Sequence, residues 1–470
     1  MELLGKVIGA ISGFMYSKLL IVMLIGVGLF FTIATRFIQG RLFGESIRVV
    51  GEKPDQKGAV SSFQALMVST ASRVGTGNII GVSTAICFGG FGSIFWMWII
   101  AIIGGASAFV ESTLAQIYKR KRPEDGSYYG GPSYYIEAAL KNRVLAVVFA
   151  VSMVLTYAGG FNALCAYNLQ STFSAYSFYD KSVTPIIIGA IIALLFGYCL
   201  MGGGKRIISA TSTMVPIMGV LYVVVALVVI LRNIGLMPGI FQRIFAEAFD
   251  FQAIFGGFTG SCMMYGIKRG LYSNEAGCGS APNAAAAADV SHPVKQGLVQ
   301  MLSVFIDTLL LCTATAFLCL SSGIEPTGEL AGAPYVQEAL RVTLGGFGPL
   351  FITVSMVLFA FTTLIGNFFY MDNLLIYLHK GVPSKNFMTG FRIVGTLVVF
   401  AGAIMDMGLL WDTADVLMGV MAIINLPVIL ALHRVVLGAL RDYDAQREAG
   451  KNPVFKAASI GMEDQVECWK

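Results

Sequence analysis

The chain is 470 residues long, 56% hydrophobic and only 13% charged, with a formal net charge of +5 and a mean hydropathy of +0.74. Those values exclude an ordinary soluble protein, and many apolar runs reach the roughly 20 residues that cross a bilayer. The basic residues are spread over connecting segments, so the positive balance is a topology signal and not a nucleic-acid surface. Eight cysteines, mostly single and inside apolar stretches, lack metal-ligand spacing and are expected to be small buried hydrophobes. His292, His379 and His433 are dispersed and form no visible site. The first apolar stretch is not expected to be a signal peptide, because Arg36, Arg41 and Arg48 follow it instead of preceding it.

Eleven spans are expected, in a single integral membrane domain over 1–470. Span 1 covers about 14–35 and span 2 about 60–88. Within span 2, the stretch from Val68 to Gly81 carries Arg73, a run of small hydroxyl residues and the closely spaced Gly75 and Gly77. A membrane helix can be interrupted only where the break is buried in protein or faces a cavity, and such breaks are where secondary transporters bind ions and substrate. Gly75 and Gly77 permit backbone angles that a helix does not use. Unwinding there would free the amides of Gly75, Thr76, Gly77 and Asn78 for a carboxylate at the start of a half-helix. The carbonyls left behind would suit sodium. The competing reading is small-residue packing between membrane helices.

Span 3 is expected at about 93–117, span 4 at 144–170, span 5 at 184–201 and span 6 at 212–231. The segment from Asn233 to Asp250 is amphipathic and belongs at the interface. Span 7 begins near 251 and is interrupted, at 256–260 or at 266–272, with Ser273 as a candidate N-cap for its second half. Its Lys268 and Arg269 are too costly to face lipid and call for a cavity, a carboxylate or the cytoplasm. Span 8 (about 294–320) holds Asp307, a functional candidate or a partner for Lys268 or Arg269. Span 9 (about 347–378) places the adjacent hydroxyls of Thr362 and Thr363 in an apolar run, where threonines commonly bond back to their own helix. Spans 10 and 11 are expected at about 387–405 and 413–433, before a polar tail, 434–470, that is helical at first.

With the N-terminus outside, inner connections and tail hold 25 of the 32 Lys and Arg residues, and outer segments hold six (Lys6, Lys18, Lys181, Arg232, Arg243 and Arg341). Setting span 1 aside, five spans follow in 60–231 and five in 251–433. Five is odd, so the halves enter the membrane from opposite sides, as in inverted-repeat transporters. Arg73, Asn78 and Gly81 stand at the same offsets from one another as Arg269, Asn274 and Gly277, a weak internal match.

The run Gly89-Gly90-Phe91-Gly92-Ser93-Ile94-Phe95-Trp96-Met97-Trp98, the Gly75-Thr76-Gly77-Asn78 break and Ser273-Asn274-Glu275-Ala276-Gly277 together resemble the alanine or glycine:cation symporter family, over roughly 15–435. The resemblance implies an all-α polytopic fold of the leucine-transporter type, an inverted five-plus-five repeat with one extra N-terminal helix. It also implies a sodium-coupled amino-acid importer in the cell's inner (plasma) membrane, with no organic cofactor and no obligatory protein partner. Thr362 and Thr363 become sodium ligands, with Ser72 and Gly75 from span 2. Gly75, Thr76, Gly77, Asn78, Cys165, Asn274, Gly277 and Asn367 become the substrate site. Two departures stand out. The family usually has glutamine and asparagine where this chain has Cys165 and Tyr167, after Asn162, and many members have tryptophan at Asn367. The substrate is therefore a small neutral amino acid, alanine or glycine by resemblance, with glutamine an open alternative.

Proton coupling on the same fold and a membrane channel are the competing functions. A channel would need a continuous polar lining, whereas the breaks here are bounded by apolar helices. An intramembrane enzyme is unsupported by any nucleophile–base pairing or metal motif. The charge split makes a direct prediction. A reporter active only in the cytoplasm is expected to work when fused after Lys470 and to fail when fused before Met1; the reverse pattern sinks the eleven-span topology.

Overall fold

A computed structural model describes residues 2–54, 56, 58–122, 126–249 and 262–469. Nearly all of it is helix, because backbone in hydrocarbon must find its hydrogen bonds within its own segment. Eight helices among the described residues are long and apolar enough to cross a membrane, and Gly77–Gly89 and Thr184–Leu200 are shorter apolar ones. With the interrupted span 7, these make up the eleven expected crossings. Spans 3, 5, 9 and 10 are Gly92–Ile117, Thr184–Leu200, Phe347–His379 and Lys385–Ala403, close to their expected bounds.

Other boundaries moved for physical reasons. Span 1 starts near residue 2, not 14, and runs through a wide turn at Met15–Leu19 to Ala34. Its early residues are held by span 11: an added Cβ on Gly9 would lie 3.0 Å from an Asp412 carboxylate oxygen, and the Tyr16 hydroxyl donates to the Asp415 carbonyl at 3.2 Å. Span 11 itself begins at Met407, not 413, because Asp406 caps it by accepting from the Leu409 amide at 3.0 Å. Span 6 extends to Gly203–Arg232. Spans 4 and 8 each contain a π-helical segment, Leu155–Phe161 and Phe305–Cys312, a feature common at functional sites.

The amphipathic segment after span 6 forms the helix Met237–Ala248, and it explains the glycine-rich run before span 3. The Glu247 carboxylate accepts from the Phe91 and Gly92 amides at 2.5 and 3.3 Å, capping span 3 with a negative charge at its positive end. A Cβ on Gly92 would stand 2.5 Å from the Ala248 nitrogen, and Gly90 has φ of +73°. Glycine is required at both positions, for close approach and for the left-handed backbone.

The connections separate into two ends. One holds the short hairpin of Arg120–Lys121 with Tyr128–Tyr129, the helix His433–Glu448 and the last residues of the chain. We term it the basic face. There Trp469 donates to the Gln116 carbonyl at 2.8 Å, the Phe455 amide to Ser291 at 2.8 Å, and Lys295 pairs with Glu52 at 2.7 Å. The opposite face holds the start of span 1, the helix Met237–Ala248 and contacts such as Arg243–Glu325 at 2.8 Å. The two termini thus lie at opposite ends of the bundle.

Glu45 anchors the terminal helix to the basic face, accepting from Tyr443 at 2.5 Å and lying 3.5 Å from Arg447. Hydrogen bonds from Arg48 hold its carboxyl down to about 2, against partial burial and with help from Tyr443. A depressed carboxyl stabilises the fold above its ordinary titration range, about pH 4.3, and this contribution is lost as the pH falls through about 2. Protease nicking of the 433–469 segment is expected to be unchanged between pH 8 and pH 5 in the wild type and to accelerate only below that carboxylate range. Glu45→Gln should show the faster nicking already at pH 7; equal rates for the two proteins would refute the anchor.

Candidate functional site

The first half of span 2, Ser62–Arg73, starts with a capping box in which Ser61 and Gln64 bond reciprocally. It stops at Val74, whose extended backbone (φ −75°, ψ 91°) turns the chain out of the helix. The second half resumes through Gly77–Gly81 and Val82–Gly89. The break is where the sequence placed it, but the glycines act differently. Neither Gly75 nor Gly77 has positive φ. They are needed for close approach: a Cβ on Gly75 would stand 2.0 Å from the Thr363 hydroxyl oxygen, and one on Gly77 3.0 Å from the Tyr272 ring.

Asn78 ties the break together. Its carboxamide oxygen accepts the Gly75 amide at 2.8 Å, and its nitrogen donates to the Asp307 carboxylate at 2.7 Å and carbonyl at 3.1 Å. The Gly75 amide is therefore already committed, and Asn78 holds the backbone instead of facing a ligand. The amides of Thr76 and Gly77 remain at the start of the second half-helix, where backbone donors lack intrahelical acceptors.

The two threonines of span 9 separate. Thr363 donates toward the carbonyls of Ala71, at 3.1 Å, and Val74, at 3.4 Å, beside the break. Thr362 bonds back to Leu358 and Phe359 at 2.9 and 3.0 Å and lies against Met218 of span 6. Its hydroxyl is turned away from span 2, as its position one residue along a helix dictates. Ser72 donates to Asn367 at 2.6 Å, and Asn367 donates to Asn162 of span 4 at 2.9 Å. Thr76 accepts from Asn168 at 3.1 Å, and Cys165 donates to the Ala360 carbonyl at 3.4 Å. Spans 2, 4 and 9 thus meet around Thr76.

Among the described residues, span 7 is interrupted beyond 266–272, the later of the two expected positions. Residues 256–260 are outside the described residues. The other expected site, 266–272, lies inside the continuous helix Cys262–Asn274, and Ser273 sits in its last turn instead of capping a new half. The chain unwinds at 275–281, with positive φ at Glu275, Gly277 and Gly279 (54°, 86° and 85°), before Pro282–Ala287. The exposed amides are satisfied by Glu111 of span 3, which accepts from Gly277 at 3.3 Å, Gly279 at 3.1 Å and Asn425 at 2.7 Å. The Gly277 amide is therefore occupied from within the protein. Asn274 accepts from the Ala276 amide at 3.0 Å, and its buried nitrogen has no partner. The matched offsets align Arg73, directly before its break, with Arg269, five residues ahead of where its helix ends, so they do not mark equivalent positions.

Asp307 pairs with neither Lys268 nor Arg269; it accepts from Asn78, Ser273 and Thr308. The cations share Asp415 of span 11: Lys268 reaches it at 2.8 Å and Arg269 bidentately at 3.2 Å. Both lie deep among spans 1, 7 and 11, which removes two from the inner basic count and leaves 23 against six. Arg269 also stacks 3.9 Å from the Trp411 ring, which packs on Tyr272, which packs on Phe161. This aromatic row runs along the site over Gly77. A cavity of about 530 Å3 reaches Asn168 and Ile80 from the opposite face, and one of about 660 Å3 reaches Gln64, Asp372 and Asn373 from the basic face. The polar centre lies between two vestibules.

Sequence reasoning missed Glu111, Asn168, Tyr272, Trp411 and Asp415. The rule that picked out Asp307, a carboxylate inside a membrane span, applies equally to Glu111 and Asp415.

Two interrupted helices facing one buried polar centre suit a carrier. A family model described as the sodium:alanine symporter family matches residues 1–457. The chain belongs to that family. Its members are transporters and not enzymes. Among relatives of this sodium:alanine symporter family chain, the amino-acid carrier protein AlsT of Bacillus subtilis is 43% identical, over 96% of this chain and 95% of its own length. The probable sodium/glutamine symporter GlnT of the same organism is 42% identical, over 100% and 96%. The sodium/alanine symporter AgcS of Methanococcus maripaludis is 35% identical, over 94% and 98%. A solved sodium-coupled sialic acid symporter, substrate-bound and outward-open, shares the fold with a TM-score of 0.50 at 14% identity, covering 98% of this chain and 96% of that one.

The second break yields a prediction. Glu111→Leu would leave three buried donors unsatisfied, at about 1–3 kcal/mol each. It is expected to lower the thermal unfolding midpoint of detergent-purified protein well below that of Glu111→Gln, which keeps one acceptor oxygen. Equal midpoints for the two variants would refute the role of Glu111 as the cap of the break.

Proposed function

We propose that this chain is a sodium-coupled importer of a small neutral amino acid, working by alternating access in the cell's plasma (inner) membrane. The carrying observation is the Thr363 hydroxyl lying 3.1 and 3.4 Å from the Ala71 and Val74 carbonyls where span 2 unwinds. Three hard oxygens converge on one point, two of them carbonyls released by the break, and such a set suits sodium. Gly75 must lack a side chain for Thr363 to come so near. Ser72 and Thr362 spend their hydroxyls elsewhere, so the sodium set we propose is Ala71, Val74 and Thr363.

The substrate carboxylate would meet the amides of Thr76 and Gly77 at the positive end of the second half-helix. Asn168 holds an unpaired oxygen beside Thr76, a suitable acceptor for the ammonium. The relatives' names point to alanine and glutamine as substrates of those proteins, and both belong on the test panel for this one. With the N-terminus outside, the vestibule at Asn168 is the outer one and that at Asp372 the inner one. The repeats 60–231 and 251–433 would then rock about the two breaks.

Uptake of labelled alanine, glycine and glutamine into membrane vesicles is expected to be concentrative and to require a sodium gradient. Thr363→Val removes one ligand oxygen. With a penalty of about 1–3 kcal/mol, it should raise the sodium concentration for half-maximal transport by roughly tenfold or more. Thr362→Val should shift it little. Equal responses of the two variants, or none in Thr363→Val, would remove the sodium assignment.

A further inference from the structure

Resting on the amino-acid reading above, we infer that Asn162 and Asn367 form a subsite for a substrate side chain bearing a carboxamide, as in glutamine or asparagine. The two residues are part of a relay across three helices. Ser72, in the last turn before the span 2 break, donates to the Asn367 oxygen at 2.6 Å, and the Asn367 nitrogen donates to the Asn162 oxygen at 2.9 Å. Both asparagines are 0% exposed, and the Asn162 nitrogen has no partner. The Tyr370 hydroxyl, also buried and interacting with Ser72 of the relay, stands three residues along span 9 from Asn367, on the same helix face.

The relay sits in the wall of the proposed site. Asn367 is one turn beyond Thr363, which touches the break. Asn162 is one turn before Cys165, whose thiol interacts with Thr76. A strut joining spans 4 and 9 needs only the asparagine–asparagine bond; it does not account for a free amide end beside it. Buried polar groups are paired in nearly all native structures, so an unpaired one beside a transport site points to a ligand. The orientation of the two amides does not alter this. Turning both over preserves the relay and exchanges the free nitrogen for a free oxygen. A carboxamide carries both a donor and an acceptor and satisfies either arrangement. An apolar side chain satisfies neither, and a carboxylate would bring a charge to a relay made only of amides and hydroxyls. A site built to hydrogen-bond its substrate discriminates strongly against the analogue that lacks the group.

The test is competition against sodium-dependent uptake of labelled glutamine in vesicles, with unlabelled glutamine, asparagine, alanine, norvaline and leucine. In the wild type, at least one carboxamide amino acid is expected to half-inhibit at a concentration at least about tenfold below that of norvaline and leucine. In Asn162→Leu that ratio should fall to about one. If the variant fails to insert, the wild-type panel alone decides. Norvaline or leucine competing as well as both carboxamides overturns the subsite, as does an unchanged ratio in Asn162→Leu. Sodium-dependent uptake of alanine that neither carboxamide inhibits also overturns the subsite, and leaves the transport reading standing. Absence of sodium-dependent uptake for every amino acid overturns the transport reading and the subsite with it.

Discussion

Everything at the centre of this protein follows from one constraint: backbone released from a helix inside a membrane must be satisfied by the protein itself. Each of the two interrupted spans meets it with a side chain, local at the first break and from another span at the second. At the first break, Asn78 accepts the Gly75 amide while anchoring itself on Asp307. At the second, Glu111 accepts two amides and is steadied by Asn425, which also donates to the Gly277 carbonyl at 3.0 Å. The asymmetry has a functional consequence. The second break has a carboxylate built in, whereas the first retains amides at a half-helix start and carbonyls turned toward Thr363. The carboxylate and cation sites proposed above both lie at the first.

Buried charge is organised by the same economy. Arg73 sits directly before the first break, 2% exposed, with one hydrogen bond at 3.3 Å to the Gln300 carbonyl, and within electrostatic reach of Glu111, Glu275 and Asp307. It supplies positive charge to a core with three carboxylates. Lys268 and Arg269 are balanced separately by Asp415, and the Lys268 ammonium also donates to Ser12 of span 1 at 2.9 Å. The extra N-terminal helix is thereby fastened to the first half of span 7 and to span 11. Removing one member of such a buried cluster leaves the others uncompensated, so span 1 is tied energetically to the region that carries Tyr272 and Trp411.

Glycine serves two distinct ends in the chain. At Gly277 and Gly279 it supplies left-handed backbone for the unwound segment. At Gly75, Gly77 and Gly92 it supplies only absence of bulk, letting Thr363, Tyr272 and the helix Met237–Ala248 come close. A glycine pattern in a sequence does not separate these uses, because both leave the same residue type.

The sequence alone determined what the bilayer imposes locally. Eleven spans, the interruption after Arg73, the amphipathic segment before span 7 and the hydroxyl pair at 362–363 are all legible, because hydropathy and helix-breaking composition act over a few residues. Tertiary structure alone decided which partner each buried polar group takes. Asp307 and Asp415 are equally conspicuous carboxylates in apolar runs, yet only packing makes Asp415 the partner of Lys268 and Arg269 and Asp307 the partner of Asn78. Among the described residues of span 7 the break falls at 275–281, not at Gly266 or Gly270, because Glu111 and Asn425, far away in the chain, converge there to satisfy its backbone. Thr362 and Thr363 are neighbours in sequence, but the helical rotation between them turns one onto its own backbone and the other onto the break. Pairing between distant residues is fixed by how the helices pack, and one chain read in order does not contain it.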